Sequence, residues 1–327
     1  MIITDLKWEY MDEAAALALD NYREERTQVT ELPVIHEIPN LDYFAENGLG
    51  VAAFEGERLI GFMGCFQPRE HAFDTNARGT FSPMHAHGAI RENRAMIYKR
   101  MYEIAAQKWV DAGIDYHCIA CYAHDDQMIK AFFTYGFGHR CTDAIRSLEP
   151  ICMERAAGIM EMEQDKLLGD IKYMEISQSE VSKIRGLRAM SSEHFGKSPC
   201  FMRTGKDDFE EWLKEAEKRD SRVFVAVDKE KTIAFMELRD FGENFITEIP
   251  DMKNICGAFC LPQYRGKNIY QNLLQYVIQT LRAEGYQRLG VDFESFNPTA
   301  SGFWLKYFKE YTCSVVRRID EIAQITE

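Results

Sequence analysis

Gly257-Ala-Phe-Cys-Leu-Pro-Gln263-Tyr-Arg265-Gly266-Lys267-Asn268-Ile269-Tyr270 changes character twice in fourteen residues. It opens as a short apolar run, which reads as a buried strand. Pro262 has no N–H to give and stops the ladder. A basic, glycine-containing turn follows. Beyond it Ile269, Leu273, Leu274, Val277, Ile278 and Leu281 recur at helical spacing, so one apolar stripe is predicted along a helix. Gly285 suits the left-handed position just past its end.

A strand, a short turn and a helix start together make an anion site. The first helical N–H groups lack internal acceptors, and the helix dipole favours negative charge there. Gly266 would let a ligand approach the backbone, and Arg265 and Lys267 add positive charge. The bland alternative is a solvated basic turn. Gln263, two residues, Gly266, in this place, resembles the acyl-CoA pyrophosphate loop of the GNAT N-acetyltransferases. The family has Gly or Ala where this chain has Asn268, a residue that tolerates positive φ. Tyr270 stands where the family has a small residue.

The chain has 327 residues, 46% hydrophobic and 28% charged, enough for two globular domains of roughly 150 residues each. No apolar run reaches the roughly 18 residues of a membrane span. Met1-Ile-Ile-Thr-Asp5 has neither a basic start nor an apolar signal core, so no export is expected. Nine cysteines, an odd number among apolar neighbours, fit a reducing, cytoplasmic setting. A formal net charge of −13 argues against nucleic acid or anionic membrane as partner. It suits a cationic acceptor such as an amine.

Each half of the chain carries the same succession of signals. Val51–Phe54 and Leu59–Cys65 read as a hairpin, followed by a long helix carrying Ile97 and Met101 that stops near Gly113. His117–Tyr122 reads as a strand and Cys141–Ser147 as a closing strand. In the second half Arg222–Val227 and Thr232–Leu238 form a hairpin, and Glu57-Arg-Leu-Ile-Gly-Phe-Met63 lines up with Glu230-Lys-Thr-Ile-Ala-Phe-Met236. Gly113 matches Gly285, and Gly88 is paired with Gly266 as the opening of the long helix. A duplication of a whole domain follows. The expected division is 1–150, a linker at 151–168, and 169–327.

The resemblance now spans both halves and implies an α/β fold with mixed sheets: two tandem GNAT-like acyl-CoA N-acyltransferase domains, similar to the mycothiol-synthase type of architecture. It implies acetyl-CoA as acyl donor, with pantetheine where two strands splay apart. The donor residues it implies are Phe259, Cys260, Leu261, Gln263, Arg265, Gly266, Lys267, Asn268, Ile269 and Tyr270. To these it adds Asn297, Ala300, Phe303 and Trp304 from the family's Asn-x-x-Ala-aromatic segment. Trp304 replaces the family tyrosine that protonates the leaving thiolate. The first half has His85-Ala86-His87-Gly88-Ala89-Ile90 in place of the loop, without Arg or Lys. The C-terminal copy is therefore expected to work and the N-terminal one to be degenerate.

Asp292 and Glu294 alternate with Leu289, Val291 and Phe293, so both carboxylates share one strand face. Glu294 is the first candidate for the base that takes the amine's proton, and Glu237 the second. The alternative is that they pair with an arginine such as Arg317 or Arg318. Tyr307, three residues past Trp304, is the candidate acid, although a thiol leaves passably as thiolate without one. Cys118 and Cys121 make a Cys-x-x-Cys flanked by His117 and His124. In a strand they point to opposite faces, so no metal is expected. The function expected is acetyl transfer to a small-molecule amine. A catalytically weak acyl-CoA-binding or sensing protein is the alternative. A transferase fed by aminoacyl-tRNA is opposed by the charge.

Overall fold

Both hairpin signals become hairpins. The computed structural model describes residues 1–151, 171–202, 209–320 and 323, so the linker expected at 151–168 lies, from 152 onward, outside the described residues. The chain forms two compact units. The first comprises Met1–Ala144, Phe293–Ser301 and Lys309–Glu327, and the second Ile145–Asp292 and Gly302–Phe308.

In the first unit β1 (Ile2–Asp5), β2 (Val51–Glu55), β3 (Arg58–Met63) and β5 (His87–Ala89) form an antiparallel sheet in the order β1-β2-β3-β5. Alternate residues of the hairpin enter opposite apolar clusters. Val51 and Ala53 pack with Ile97 and Met101 of α3 (Arg94–Asp111), and Ala52 and Phe62 pack with Ala14 and Ala18 of α1 (Met11–Gln28) and Phe44 of α2 (Asp42–Glu46). Burial of both faces explains why these strands are apolar throughout. β4 (Gly79–Ser82) runs parallel to β6 (Tyr116–Tyr122). α4 (Asp126–Thr134) and β7 (Gly138–Ser147) follow.

The strand between β6 and β7 comes from much later in the sequence. After β13 (Lys309–Glu310), which pairs with β7, β14 (Thr312–Arg318) runs antiparallel to both β6 and β7. The sequence reading assigned no strand there. Gly88 also departs from expectation. It lies inside β5, opposite Phe62, and the turn before α3 is Ile90–Asn93, with Asn93 at φ 54°. The true counterpart of the Gly266 turn therefore contains Arg91 and Glu92, and its polar residues are not those expected. Cys118 and Cys121 both lie in β6, and only Cys121 enters the α3 cluster. Their opposed faces rule out joint ligation of one ion.

The second unit contains β8 (Ile171–Ile176), α5 (Arg185–Phe195), α6 (Phe209–Lys218), β9 (Arg222–Asp228), β10 (Lys231–Arg239), β11 (Met252–Cys260), α7 (Ile269–Ala283) and β12 (Arg288–Glu294), the last through Asp292. Its strands follow the order β12-β11-β10-β9-β8. The six apolar positions of the predicted stripe are the six buried residues of α7. Each such side chain contributes roughly 1.5–3 kcal/mol on burial. Gly113 and Gly285 both stand at positive φ after the long helix of their unit, 76° and 95°, as their matching places in the repeat require. A short helix α8 (Pro298–Trp304) follows β12.

Candidate functional site

The second unit opens where β11 loses a neighbour. β11 pairs in parallel with β12 from Met252↔Arg288 to Ile255↔Val291, and the pairing ends there. On its other side β11 stays paired with β10 as far as Cys260. Glu237 faces Gly257 and Leu238 faces Ile255, so Cys256 is the extra residue of a β-bulge at the point of divergence. Cys256, Gly257 and Ala258 are half-buried, between buried residues on both sides. Small side chains, a bulge and a strand edge without its former partner can accept an extended, amide-bearing chain.

The edge leads into the loop. Leu261 ends the strand, Pro262–Tyr264 make one 3-10 turn, and Gly266 and Asn268 take φ of 72° and 61°. Asn268 caps α7 from the left-handed region, as its tolerance of positive φ allows. The first α7 amide with an acceptor inside the helix is that of Asn272, bonded to Asn268 O at 2.9 Å. The N–H groups before it face outward at the positive end of the helix dipole. A Cβ on Gly266 would meet no heavy atom within 4 Å, so the space over the turn is open. Arg265 is held beside it, its Nε donating to Cys260 O at 2.9 Å and its guanidinium lying 5.3 Å from the Phe259 ring. The Lys267 ammonium lies 5.9 Å from the Tyr264 ring.

Aromatic residues close the other side of the loop. Tyr270 donates to Phe235 O at 3.3 Å, and its ring packs on Phe303 and Trp304 at 5.0 and 6.1 Å. The bulk at position 270 is thereby directed towards β10. Trp304 is buried against Phe303 and Phe308. The Tyr307 phenol accepts a hydrogen bond from Gln271 Nε2 in the first turn of α7. Ile269 is buried in the helix stripe, and Gln263 is exposed on the turn. Burial pushes the Cys260 thiol up to about 11, so it is not a nucleophile near neutral pH.

The candidate carboxylates differ sharply. Glu237 is 1% exposed. Its Oε1 accepts from Arg239 Nη2 and Nε at 2.7 and 3.1 Å, and its Oε2 from Trp212 Nε1 at 3.2 Å and Arg188 Nη1 at 3.5 Å. A carboxylate so enclosed anchors the bulge and does not reach a substrate, which removes Glu237 from the bases. Glu294 is also paired, with Arg140, at 2.9 Å from Nε to Oε2. Its side chain is 20% exposed. It is held but not sealed. Asp292 is the first residue beyond the last β11–β12 pair, and its charge acts on Arg239.

Phe259 to Tyr270, Phe303, Trp304 and Tyr307 gather in the second unit. Glu294, Asn297 and Ala300 group with the first. The Asn297 carboxamide oxygen accepts from Thr299 N at 3.2 Å and Thr299 Oγ1 at 2.7 Å, which caps α8, and Ala300 N bonds to Asn297 O at 3.1 Å. These are helix-start contacts.

In the first unit the corresponding divergence, between β5 and β6, is filled by the protein. His87 Nε2 lies 2.8 Å from Ala120 O in β6, and Nδ1 lies 3.2 Å from the Tyr98 hydroxyl. A carbonyl only accepts, so Nε2 carries the proton and Nδ1 accepts from Tyr98. Burial holds this imidazole neutral, its pKa lowered to about 4. Asn21 of α1 bonds both main-chain groups of Ala89, donating to O at 3.1 Å and accepting from N at 3.0 Å. Arg94, the first residue of α3, is tied to Glu24 and Asp125 at 2.7 and 3.1 Å. The sequence reading did not single out Asn21. Its signal is a polar residue in step with the buried Ala14 and Ala18 on one helix face.

Residues 187–308 match the Acetyltransferase (GNAT) family. They form a GNAT acetyltransferase domain. The splayed strands, the loop and α7 all lie inside this match. A GCN5-related N-acetyltransferase from Sphaerobacter thermophilus shares the fold over 97% of this chain and 95% of its own, with a TM-score of 0.56 and 11% identity. A structure described as a GCN5-related glucosamine N-acetyltransferase region of a fungal multi-domain GH3 beta-N-acetylglucosaminidase is similar over 96% of this chain and 38% of its own, with a TM-score of 0.51 and 13% identity. No curated protein matches the sequence. Among the described residues, no group of three or more His, Cys, Asp and Glu is placed to hold a metal, and no helix is long and apolar enough to cross a membrane.

Proposed function

We propose that the GNAT domain binds acetyl-CoA and transfers its acetyl group directly to a small-molecule amine. One observation carries this reading: β11 parts from β12 after Ile255 and runs, through an open glycine turn, into the N-terminus of α7. In this reading the N–H groups from Gly266 to Tyr270, with Arg265 and Lys267, hold the pyrophosphate, and the β11 edge at Cys256–Ala258 takes the pantetheine amides. The thioester supplies an activated acyl group. The protein orients the amine, and a base takes up the amine's proton as the new bond forms. With Trp304 where the family has tyrosine, and Tyr307 engaged at the first turn of α7, the thiolate leaves without a side-chain acid. The first unit, with His87 and Asn21 in its cleft, takes no donor.

Titration calorimetry with acetyl-CoA, followed by transfer assays over an amine panel, tests the proposal. One acetyl-CoA per chain and turnover of at least one amine are expected. Two equivalents, or none, would overturn it.

A further inference from the structure

The fork in the second unit carries charge on one face that its counterpart in the first unit lacks. β11 and β12 part after Ile255↔Val291, and Asp292 is the first residue of β12 beyond that ladder. In the first unit β4 and β6 part after Ser82↔Ile119, and the residue in that place is Ala120. Extending the match of Met63 with Met236 puts Gly64 in the place of Glu237 and Phe66 in that of Arg239. A Cβ on Gly64 would stand 2.7 Å from the Phe44 Cβ, so the backbone there packs against phenylalanine. The fold therefore holds together without charge at these three places. Burying charged groups costs free energy, and the unit with the open turn is the one that carries them. The three charges share one sheet face. A Cβ on Gly290 would run into Asn254 Oδ1, and Asn254 is opposite Arg239 in register, so alternation puts Asp292 on the side of Arg239 and Glu237. Arg239 is fixed by Glu237 and by Ser221 Oγ, which accepts from its Nε at 3.1 Å. Burial works against the guanidinium's charge, but Cys256, Glu237 and Asp292 together outweigh it and raise the pKa.

We propose that Asp292 is the catalytic base of the acyl transfer. The proposal deepens the proposed function above and rests on it. A pantetheine arm that enters from the α7 turn and lies along the open edge of β11 runs back from Ala258 to Cys256. Its thioester end then comes to the apex of the fork, beside Asp292. There the amine nitrogen attacks the carbonyl carbon with its lone pair. As the C–N bond forms the nitrogen becomes cationic, and its proton passes to a carboxylate oxygen of Asp292. The carbonyl re-forms as the C–S bond breaks, the electron pair leaves on sulfur as the thiolate, and Asp292 returns the proton to solvent. Glu237 does not serve, since four N–H groups already enclose it.

The test compares wild type, Asp292→Asn, Asp292→Ala and Asp292→Glu in the full chain with the best amine. Acetyl-CoA affinity and melting temperature are taken on the same samples. Asp292→Asn should lose on the order of 10²- to 10⁴-fold in kcat, with acetyl-CoA affinity at the wild-type value. Sodium formate should restore part of the rate of Asp292→Ala, because a free carboxylate can take the vacated place, and sodium chloride at the same ionic strength should not. A purely structural carboxylate gives no such rescue. Wild-type kcat in Asp292→Asn, or an Asp292→Ala rate that formate raises no more than chloride does, would overturn the inference alone. Should both variants fail to fold, Asp292→Glu decides. It keeps the charge and moves the carboxylate by one methylene, so kcat should drop by up to roughly 10²-fold at wild-type acetyl-CoA affinity, and full kcat would overturn the inference. Wild type that acetylates no amine would overturn both this inference and the proposed function.

Discussion

His87 puts an imidazole where the other unit leaves an open strand edge. Its two bonds, to Ala120 O and Tyr98, require the neutral ring. Burial lowers its pKa from 6.5 to about 4, and His85 and His117 are lowered to about 4 by burial too. A histidine with a depressed folded-state pKa binds its proton more readily when unfolded. Its share of the stability is therefore fully present above about pH 6.5 and is lost as the pH falls toward 4. Unfolding free energy should fall across that window, with a slope reporting the protons taken up. His87→Gln should reduce the slope by about one proton, measured by denaturant titration at a series of pH values. An unchanged slope would mean that His87 is already protonated in the fold.

At the scale of an element, the loop and α7 form one device, and most of it is readable in the residues. The stripe from Ile269 to Leu281 follows from period alone, because one apolar face per turn has nowhere else to go. Asn268 in the left-handed region is legible because few other residues accept that backbone. Gly88 was misplaced because glycine is as much at home in a tightly packed strand as in a turn. Here a Cβ would stand 3.1 Å from Phe62. The pairing of Glu237 was illegible, because Arg188 and Trp212 reach it from two separate helices. The functional claim at this scale is sharp. Gly266→Asp puts a side chain and a like charge into the open turn and should weaken acetyl-CoA binding at least roughly a hundredfold, about 2.8 kcal/mol. Arg91→Asp, in the true counterpart turn of the first unit, should leave the affinity unchanged. Calorimetry on both variants decides. Equal effects would mean that the donor site is wrongly placed.

For the whole molecule, the repeat in the sequence describes the units' internal plan better than their boundaries. Hairpin, strand, long helix and strand recur in each half, since each depends on nearby residues. β14 broke the pattern because strand pairing is set by which edge is open, and nothing local to residues 312–318 announces that the open position lies between β6 and β7. A chain ending at Phe308 should therefore lose amide protection in β6 and β7, while β9 and β10, paired with neighbours inside 171–260, keep theirs. Hydrogen exchange followed by peptide mass spectrometry reads this directly, and undiminished protection in β6 would show that β14 is dispensable.

The place of β14 also sets a clock on synthesis. β6 is complete at Tyr122, but its neighbour starts at Thr312, roughly 190 residues later, so at about 5–20 residues per second the ribosome supplies it on the order of 10–40 s afterwards. During that interval the edges of β6 and β7 have unpaired N–H and C=O groups, the kind of surface that recruits stray strands. The first unit to emerge is thus among the last to close, and crowded overexpression should trap it as aggregate unless a chaperone shields that gap.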